Sequence, residues 1–280
     1  MAQNKILKVK FFSSGYCTAH AKVVNPITGK GKAKFYAVWA LIHIESIGYV
    51  LFDTGYSNAF KNATHRFPDR IYRWVTPIQI KQNESALDLL EKEGIQANDI
   101  RYIIVSHFHA DHIAGLTDFP EAQIICSKSS YQEVKELKGW RAVKKGILHG
   151  LIPQDIEQRI QFIEDIADLA TTNEQGILQY KLFEQDEFQL IALPGHAKGM
   201  LGFIYLQESN HLLYATDAAW DISCFEQKIL PKKVVKLFFD CWDDYLETWD
   251  KLHHYKTMHS NVNLLFTHCP KTLNYLSNEI

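Results

Sequence analysis

The sequence lacks the usual features of secreted, membrane-spanning and nucleic-acid-binding proteins. Its cysteines are few, odd in number and without a Cys-x-x-Cys pair, which argues against a disulfide framework and a zinc knuckle. The longest apolar stretches are too short and too interrupted to span a bilayer, and the amino-terminal residues have no signal-peptide core. We therefore expect a soluble, cytoplasmic protein with reduced thiols that mostly pack in its core. The five cysteines are Cys17, Cys126, Cys224, Cys241 and Cys269.

The charge of the chain is nearly balanced, which limits the classes of partner. The chain has 30 basic and 32 acidic residues, a formal net charge of −2, and the two signs are interspersed along it. This pattern provides neither the basic surplus that binds nucleic acid nor a polybasic patch for anionic lipid. We expect neither nucleic acid nor a membrane as a partner.

No domain boundary is visible along the 280 residues. Repeats, low-complexity tracts and linkers rich in proline, glycine or serine are all missing. A chain of this length, with 46% hydrophobic residues, buries roughly three quarters of its unfolded surface. One domain that spans residues 1–280 is therefore expected.

Hydrophobic periodicity predicts an α/β protein. Short alternating or apolar runs predict strands, and three longer segments with one apolar face predict helices. The strands fall in two groups, each followed by helices, so we expect two mixed sheets packed face to face with helices outside, a four-layer αββα sandwich. Predicted strands cover residues 5–12, 33–44, 49–52, 101–106, 123–126, 188–193, 201–206, 211–216 and 262–267; predicted helices cover 84–93, 127–138 and 231–258.

Three segments carry more specific expectations. Asn83 is the expected cap of the helix over 84–93, and Gly94 its end. The helix over 231–258 has one apolar face, named at the end of this paragraph, which we expect to pack in the core. Residues 140–164 are interpreted as an ordinary outer helix, the alternative being a lid that lines an apolar substrate pocket. The core face of the longest helix comprises Val235, Phe238, Trp242, Tyr245, Trp249 and Leu252.

A dense group of ionisable side chains follows the predicted strand over 101–106. The group consists of His107, His109, Asp111 and His112. Burying such groups together is costly unless each finds a partner, because desolvation and mutual repulsion both disfavour their charged forms. A divalent metal ion removes this cost, since it binds deprotonated nitrogen and oxygen ligands. The cluster therefore predicts a metal site.

The spacing within this cluster divides it between two ions. His107 and His109 leave the strand end two residues apart and point the same way, so they can share one ion. Asp111 and His112 turn the other way as a helix begins, towards a second ion, and the helix dipole favours a carboxylate in the first turn. Two neighbouring sites are thus expected from one short motif.

Three further candidates lie far along the chain, each at or just after the end of an apolar strand. His196 follows the strand over 188–193, Asp217 ends the strand over 211–216, and His268 ends the last strand. Strand ends and the loops beyond them commonly build sites, so all three side chains are expected on one rim of the sandwich.

Taken in order, these motifs resemble the complete motif series of the metallo-β-lactamase superfamily. The series here is His107-x-His109-x-Asp111-His112, Pro194-Gly195-His196, Thr216-Asp217 and Thr267-His268, and Asp53-Thr54-Gly55 is similar to the family's early Asp-x-Gly turn, which supports the site from behind the ligands. The resemblance implies that His107, His109 and His196 bind one metal ion. It also implies that Asp111, His112 and His268 bind the other, and that Asp217 bridges the two.

The resemblance further implies a hydrolase that carries two divalent cations. Nitrogen-rich ligation suits zinc, while iron, manganese and cobalt also fit mixed nitrogen and oxygen ligands. Two cations about 3.5–4 Å apart lower the pKa of a shared water towards about 7, and the resulting bridging hydroxide attacks an electrophilic carbon or phosphorus. Asp111 and Asp217 are the catalytic carboxylates in this interpretation, with Asp111 orienting the nucleophile.

Within the superfamily, the layout is similar to that of the N-acyl homoserine lactone lactonases. The likeness rests on seven protein ligands with a bridging aspartate, a short tail after His268 and no added binding domain. Those lactonases usually carry a tyrosine three residues beyond the bridging aspartate, where this chain has Trp220. The indole N–H of Trp220 can donate to a substrate carbonyl, which makes it a catalytic candidate, and a pocket wall is the alternative. The best interpretation is opening of a lactone, on a small molecule with an apolar part.

Other reactions of the superfamily stay open. An acyl thioesterase similar to glyoxalase II would use the same metal pair, although the twelve residues after His268 leave no room for that enzyme's helical extension. A phosphodiesterase is a further alternative, whereas the missing basic surplus disfavours long nucleic acids. A mononuclear iron persulfide dioxygenase would need only part of the ligand set. A homodimer is compatible with all of these readings.

Overall fold

The computed structural model describes residues 5–207 and 211–276, and within these ranges the strands form two sheets. The first sheet contains β1 (Ile6–His20), β2 (Lys32–Ile44), β3 (Gly48–Phe52), β4 (Ile78–Gln79), β5 (Ile100–Ile104), β6 (Gln123–Cys126) and β7 (Ile160–Phe162). The second contains β8 (Leu169–Thr172), β9 (Leu178–Lys181), β10 (Phe188–Ala192), β11 (Leu201–Leu206), β12 (His211–Tyr214) and β13 (Val262–Leu265).

Both sheets mix parallel and antiparallel pairs. The spatial order is β4-β1-β2-β3-β5-β6-β7 in the first sheet and β13-β12-β11-β10-β9-β8 in the second. Strands β3, β5, β6 and β7 are parallel neighbours, as are β12 and β13, whereas the other pairs are antiparallel. The parallel strands end at the edges of the sheets where the site described below is built.

Helices cover the outer faces of the two sheets. The α-helices are α1 (Ala59–Ala63), α2 (Asp69–Val75), α3 (Ala86–Lys92), α4 (Ala110–Ile113), α5 (Lys128–Glu136), α6 (Gly139–Lys144), α7 (Ile156–Arg159), α8 (Ile163–Ile166), α9 (Ile222–Glu226) and α10 (Trp242–Met258). Helices α1, α3 and α5 contribute to the apolar layer outside the first sheet, and α9 and α10 to the layer outside the second. In the described ranges, none of these helices is long and apolar enough to cross a bilayer.

Period-two alternation along the strands separates the apolar layers. In β2, Trp39 and Leu41 pack in the layer beneath the helices, while Ala40 and Ile42 pack between the sheets. Aromatic rings join the sheets directly, with the ring centroids of Phe52 and Phe203 5.0 Å apart. The layers therefore follow the order helix, sheet, sheet, helix, which confirms the αββα sandwich expected from the sequence.

The predicted strands lie close to those observed, with differences at the ends. β6 and β11 have the predicted bounds. The other predicted strands begin and end within two residues of those observed. The exception is β1, which continues past residue 12 to His20 through an irregular step near Ser13. Four strands were not predicted: β4, β7, β8 and β9. The whole of β8 is exposed, so its sequence carries no alternating burial pattern to detect.

The helix predicted over 84–93 begins later than expected, and its cap is a different residue. The Ser85 hydroxyl accepts a hydrogen bond from the Asp88 N–H (3.2 Å), and the Asp88 carboxylate accepts one from the Ser85 N–H (2.9 Å). Asn83 lies outside the helix, with φ 59°. The reciprocal capping box at Ser85 therefore fixes the start of α3, and Gly94 follows its end as predicted.

The single helix predicted over 231–258 is wrong in its first part. Lys233–Leu237 form a short 3-10 helix, and α10 begins only at Trp242. The face predicted to pack in the core is therefore split, and Phe238 is 52% exposed.

The interruption comes from backbone hydrogen bonds to another loop. The N–H groups of Asp240 and Cys241 donate to the carbonyls of His196 and Gly195, each at 3.1 Å. Those N–H groups are then not available to a continuous helix. Periodicity along the sequence does not reveal a bond that is made by a distant loop.

Residues 140–164 do not form one outer helix. They contain most of α6, a 3-10 helix at His149–Leu151, α7, the edge strand β7 and the start of α8. β7 pairs in parallel with β6 and so extends the first sheet. Trp140 and Val143 of α6 border the cavity described below, so this first part of the segment takes the pocket-lining position that was the alternative interpretation.

Candidate metal centre

The side chains predicted as metal ligands converge where the strands of both sheets end. The loop after β5 carries two of them and the short helix α4 that follows it carries two more, while the loops after β10, β12 and β13 carry one each. Because β12 and β13 are parallel neighbours, their carboxyl ends bring Asp217 and His268 together at one edge. The structure brings all seven residues together: His107, His109, Asp111, His112, His196, Asp217 and His268.

The ligand atoms form two groups that share one carboxylate. In each group the candidate atoms lie within 4.8 Å of one another. The first group is His107, His109, His196 and Asp217; the second is Asp111, His112, His268 and Asp217. Asp217 is thus placed where one carboxylate can contact cations on both sides.

Short distances link the two groups through Asp217. Its Oδ2 lies 2.9 Å from His268 Nε2 and 3.2 Å from His196 Nε2. Its Oδ1 lies 3.5 Å from His112 Nε2. In the first group, His196 Nε2 is 3.1 Å from His109 Nδ1. Nitrogen and oxygen atoms at these separations all face one small volume.

The donor set fits divalent cations. Buried polar atoms normally have hydrogen-bond partners, yet His107 Nε2, His112 Nε2 and Asp217 Oδ1 are buried without one among the described residues. The opposite ring nitrogen of each imidazole is occupied: His107 Nδ1 is 3.0 Å from Ser106 Oγ, and His112 Nδ1 is 2.7 Å from Asp53 Oδ2. This leaves each Nε2 lone pair free for a cation, as metal-ligating histidines require.

The protonation states of the first group favour ligation. Burial and the neighbouring imidazoles hold the pKa values of His107 and His109 well below the usual value for histidine. Burial alone would raise the pKa of Asp217, but His268 and His112 outweigh it and hold that pKa well below its usual range. Neutral imidazoles and an ionised carboxylate are the forms that bind divalent metals.

The second group lies in a more negative environment. Burial disfavours a charge on His112, but the carboxylates of Asp53, Asp111 and Asp217 outweigh it and raise its pKa well above the usual value. Asp217 and Asp111 likewise raise the pKa of His268 in spite of burial. The same carboxylates would stabilise a divalent cation in place of those protons.

Asp53 supports the centre from behind, as the Asp-x-Gly likeness implied. Its carboxylate accepts hydrogen bonds from the Ser106 N–H and hydroxyl, each at 2.8 Å, and from His112 Nδ1. Asp53 and Thr216 both have a left-handed backbone, with φ 63° and 44°. This conformation is costly for Thr216, which is β-branched. Because Thr216 directly precedes Asp217 and Asp53 supports His112, the local strain lies at the centre.

Two glycines allow other segments to approach the ligands closely. A Cβ at Gly146 would lie 2.6 Å from His109 Cδ2, and a Cβ at Gly195 would lie 2.2 Å from the backbone nitrogen of Tyr245. Both have positive φ, 74° and 123°. Gly146 therefore lets the loop after α6 pack on the His109 ring, and Gly195 lets the His196 loop dock on α10.

An apolar cavity of about 520 Å³ opens beside the first group, with His109 and His196 at its border. Its walls come from β1, β2, α2, α6 and the 3-10 helix at Lys233–Leu237. Apolar wall residues include Phe35, Ile71, Val143, Val235 and Phe239. Cys17 also borders the cavity; burial and the charge of Asp111 raise the pKa of its thiol to about 12, so it remains protonated.

Trp220 lies in this cavity next to the metal-ligand cluster. Its ring centroid is 6.1 Å from that of His196, 5.4 Å from Phe35 and 5.6 Å from Phe239. Its indole nitrogen is buried and has no hydrogen-bond partner in the part of the chain that the structure describes. An N–H in this position can donate to a bound molecule.

The family model described as the metallo-beta-lactamase superfamily matches residues 38–254. The chain belongs to this superfamily. It is a metal-dependent hydrolase with the αββα fold of that superfamily. The N-acyl homoserine lactonase of Bacillus thuringiensis is 24% identical over 225 residues, which cover 80% of each chain. The lactonase AttM of Agrobacterium fabrum is 28% identical over 156 residues, 54% of each chain.

Solved structures of other superfamily members share the fold of this metallo-β-lactamase-type chain. A variant of Bacillus thuringiensis AiiA with N-decanoyl-L-homoserine at its active site aligns with a TM-score of 0.74 at 19% identity, over 99% of this chain and 100% of that one. AidC, a dizinc quorum-quenching lactonase in complex with a product, aligns with a TM-score of 0.62 at 17% identity, over 96% and 92% of the two chains. At these identities the likeness shows the fold.

Several residues that contact the candidate ligands or line the cavity of this superfamily member had no signal in its sequence. The carbonyl of Tyr36 accepts a hydrogen bond from His268 Nδ1 at 2.8 Å, a contact between residues 232 positions apart. The contact of Gly146 with His109 and the cavity wall at Tyr72 likewise depend on tertiary packing. Only an isolated glycine before the apolar run at 147–148 marks Gly146 in the sequence, and that signal is too weak to assign a role.

Proposed function

We propose that this hydrolase opens the ring of N-acyl homoserine lactones or similar acyl lactones with the help of two divalent cations. One observation carries the proposal: two ligand groups that share Asp217 lie beside an apolar cavity large enough for an acyl chain. Relatives that bear the lactonase name support the choice of substrate. Zinc is the first choice of metal, with iron, manganese and cobalt as alternatives.

The residues of each ligand group would hold one cation, and Asp217 would contact both. When bound, the cations would supply Lewis acidity at the substrate carbonyl and lower the pKa of the attacking water. Every other contribution comes from side chains of the chain itself. Asp111 is the carboxylate of the second group that is not shared, with its Oδ2 3.4 Å from His268 Nε2.

Asp111 is the residue that we assign to proton handling. Its carboxylate is nearly buried and borders the ligand cluster, where it can orient the attacking water and accept its proton. The water oxygen bonds to the lactone carbonyl carbon, the ring C–O bond breaks, and the departing ring oxygen takes up a proton. The product is the ring-opened N-acyl homoserine.

Trp220 and the cavity walls would position the substrate. The unpaired indole N–H of Trp220 would donate to a substrate carbonyl oxygen, the position in which the lactonases usually have a tyrosine. The acyl chain would lie against Phe35, Val143 and Val235. Burying an apolar chain there contributes about 0.8 kcal/mol for each CH₂ group, so longer chains should bind more tightly.

A hydrolysis panel tests the substrate class. Butanoyl and decanoyl homoserine lactones, an acyl thioester, a cephalosporin and a phosphodiester would be compared on the metal-loaded protein. We expect turnover of the lactones, with a lower KM for the decanoyl compound. Faster turnover of the thioester or the phosphodiester than of either lactone would contradict the lactonase assignment.

Metal content tests the dinuclear centre separately from the substrate. Elemental analysis of protein expressed with added metal should find close to two transition-metal ions per chain. Asp217→Asn should lower that content to one ion or fewer and abolish turnover, because the shared ligand is lost. Two ions and full activity in this variant would rule out the bridging role.

A further inference from the structure

We propose that this protein docks on anionic lipid bilayers through the surface around the mouth of its cavity. Three segments build this surface, residues 66–76, 138–146 and 232–240, and we call it the mouth face. Each segment contributes to the cavity border, through Val75, Trp140 and Val234 among others. The proposal reverses the expectation from the sequence that a membrane is not a partner, because basic residues that are spread along the chain meet on one surface only after folding. It rests on what the three segments expose and not on the ligand groups or the proposed reaction.

Large exposed hydrophobic side chains concentrate on the mouth face. Of the eleven in the described ranges, each at least 46% exposed, seven belong to these 29 residues. Soluble surfaces rarely gather such side chains, and a contiguous group usually marks a binding surface. The seven are Phe67, Trp74, Val75, Trp140, Val234, Leu237 and Phe238.

Basic residues concentrate on the same surface. The three segments hold ten basic and two acidic residues, in a chain whose net charge is −2. Nine of the ten are exposed. One of the two acids, Asp240, has an Oδ1 3.8 Å from Lys145 Nζ. The basic residues are Arg66, Arg70, Arg73, Lys138, Arg141, Lys144, Lys145, Lys232, Lys233 and Lys236.

Basic and aromatic side chains are interleaved on this surface. The guanidinium of Arg70 lies 5.4 Å from the ring centroid of Trp74, and Lys236 Nζ lies 4.5 Å from that of Trp242, which lies just beyond the third segment. Tryptophan and phenylalanine favour the boundary between lipid headgroups and acyl chains, and lysine and arginine favour anionic headgroups. The composition matches both layers of an anionic membrane surface.

The cavity gives this arrangement a function. Its exposed lining residues, among them Val75, Trp140 and Val234, all belong to the three segments of the mouth face, and its walls are largely apolar. An amphiphilic acyl compound dissolved in a bilayer could pass its chain from the lipid into the cavity without crossing water. The transfer would avoid exposure of that apolar chain to solvent.

A second copy of the chain fits this surface less well than lipid does. In a symmetric dimer the same patch lies on both subunits, so ten basic residues would face ten others. Like charges brought together in this way repel each other. An anionic bilayer supplies the opposite charge together with an apolar interior, and therefore satisfies both properties of the mouth face.

Vesicle co-sedimentation of the metal-loaded protein tests the proposal without reference to activity. Vesicles of phosphatidylcholine with a quarter phosphatidylglycerol would be compared with pure phosphatidylcholine vesicles. We expect binding to the anionic vesicles, at least tenfold weaker binding to the neutral ones, and release at about 0.5 M salt, where charges are screened beyond a few Å. Equal binding to both kinds of vesicle, or binding to neither, would overturn the proposal.

Matched variants locate the surface. The triple variant Lys232→Glu, Lys233→Glu and Lys236→Glu should weaken partitioning on the order of a hundredfold, at about fivefold or more for each lost basic residue. The same change at three exposed lysines elsewhere, Lys5, Lys92 and Lys271, should have a much smaller effect. Equal losses in both triple variants would refute the mouth face as the docking surface.

The variant Trp140→Ser tests both the exposed hydrophobic side chains of the mouth face and the alternative that a second copy of the chain binds there. Trp140→Ser should reduce binding to anionic vesicles about tenfold or more, because a large side chain would no longer be buried in lipid. Circular dichroism would show that the variant is folded, since Trp140 is exposed. A stable dimer that dissociates in Trp140→Ser and does not bind vesicles would assign the surface to a second copy and overturn the proposal.

Discussion

His112 Nδ1 and Asp53 Oδ2 lie 2.7 Å apart in a fully buried pair behind the ligand cluster. The pair connects Asp53, which directly follows β3, with the motif that follows β5. It fixes the His112 ring so that Nε2 faces Asp217 and Asp111, at 3.5 and 3.8 Å. Two sequence motifs about sixty residues apart therefore act on one imidazole.

Asp53→Asn should weaken metal binding while the fold is kept. Asparagine tolerates the left-handed backbone at this position, but its NH₂ group would replace one carboxylate oxygen and face a donor, so it cannot accept all three hydrogen bonds from Ser106 and His112. Loss of such a supporting carboxylate typically lowers metal affinity 10–100-fold. Competition with a fluorescent chelator measures this affinity directly. Asp165→Asn, at an exposed carboxylate, is the control, and equal affinities in the two variants would contradict the role of Asp53.

Gly146→Ala should disturb the His109 ring. The added Cβ would lie 2.6 Å from His109 Cδ2, so the ring or the loop has to move. Gly94→Ala is a matched control, because Gly94 has a similar φ of 81° but nothing within 4 Å of the added Cβ. Both variants should lose about 1 kcal/mol of stability from backbone strain. Only Gly146→Ala should also lose affinity for the first metal ion in chelator titrations.

Trp220→Phe tests the indole N–H. Phenylalanine keeps an aromatic wall but removes the donor, so kcat/KM for a lactone should fall about tenfold if the hydrogen bond forms in the transition state. Trp242→Phe, a tryptophan outside the cavity border, should leave kcat/KM nearly unchanged. Unchanged kcat/KM in Trp220→Phe would make Trp220 a wall only.

Asp118→Asn should stabilise the protein in a pH-dependent way. Burial and the nearby charge of Asp88 raise the pKa of Asp118 to about 6. The folded state therefore binds a proton more tightly than the unfolded state. As the pH rises from about 4 to about 6, the contribution of Asp118 to the free energy of unfolding decreases. Replacement by asparagine should add about 1–3 kcal/mol at pH 8 and almost nothing near pH 4. Denaturant unfolding at both pH values would show a constant difference if Asp118 titrates normally.

The ligand candidates could be read from the sequence because each one lies beside a local pattern. An apolar strand followed by His, Asp or Pro-Gly-His is visible in a few residues, as at His107 and His196. The sandwich followed from the same strands, since alternating burial is a local property. The start of α10 could not be read, because the hydrogen bonds of Asp240 and Cys241 go to a loop more than forty residues away.

By itself the sequence determined which side chains could bind metal and in which layers the strands would pack. Both the chemistry of a ligand motif and the alternating burial of a strand depend on residues that are neighbours in the sequence. The motif resemblance already implied that Asp217 is shared by both ligand groups, whereas the tertiary structure alone decided that Gly146 packs against His109 and that an apolar cavity lies beside the centre. It also gathered basic residues from three separate segments around that cavity in a chain with almost no net charge. Distances between residues remote in the chain are set by packing, and the composition of the sequence does not indicate them.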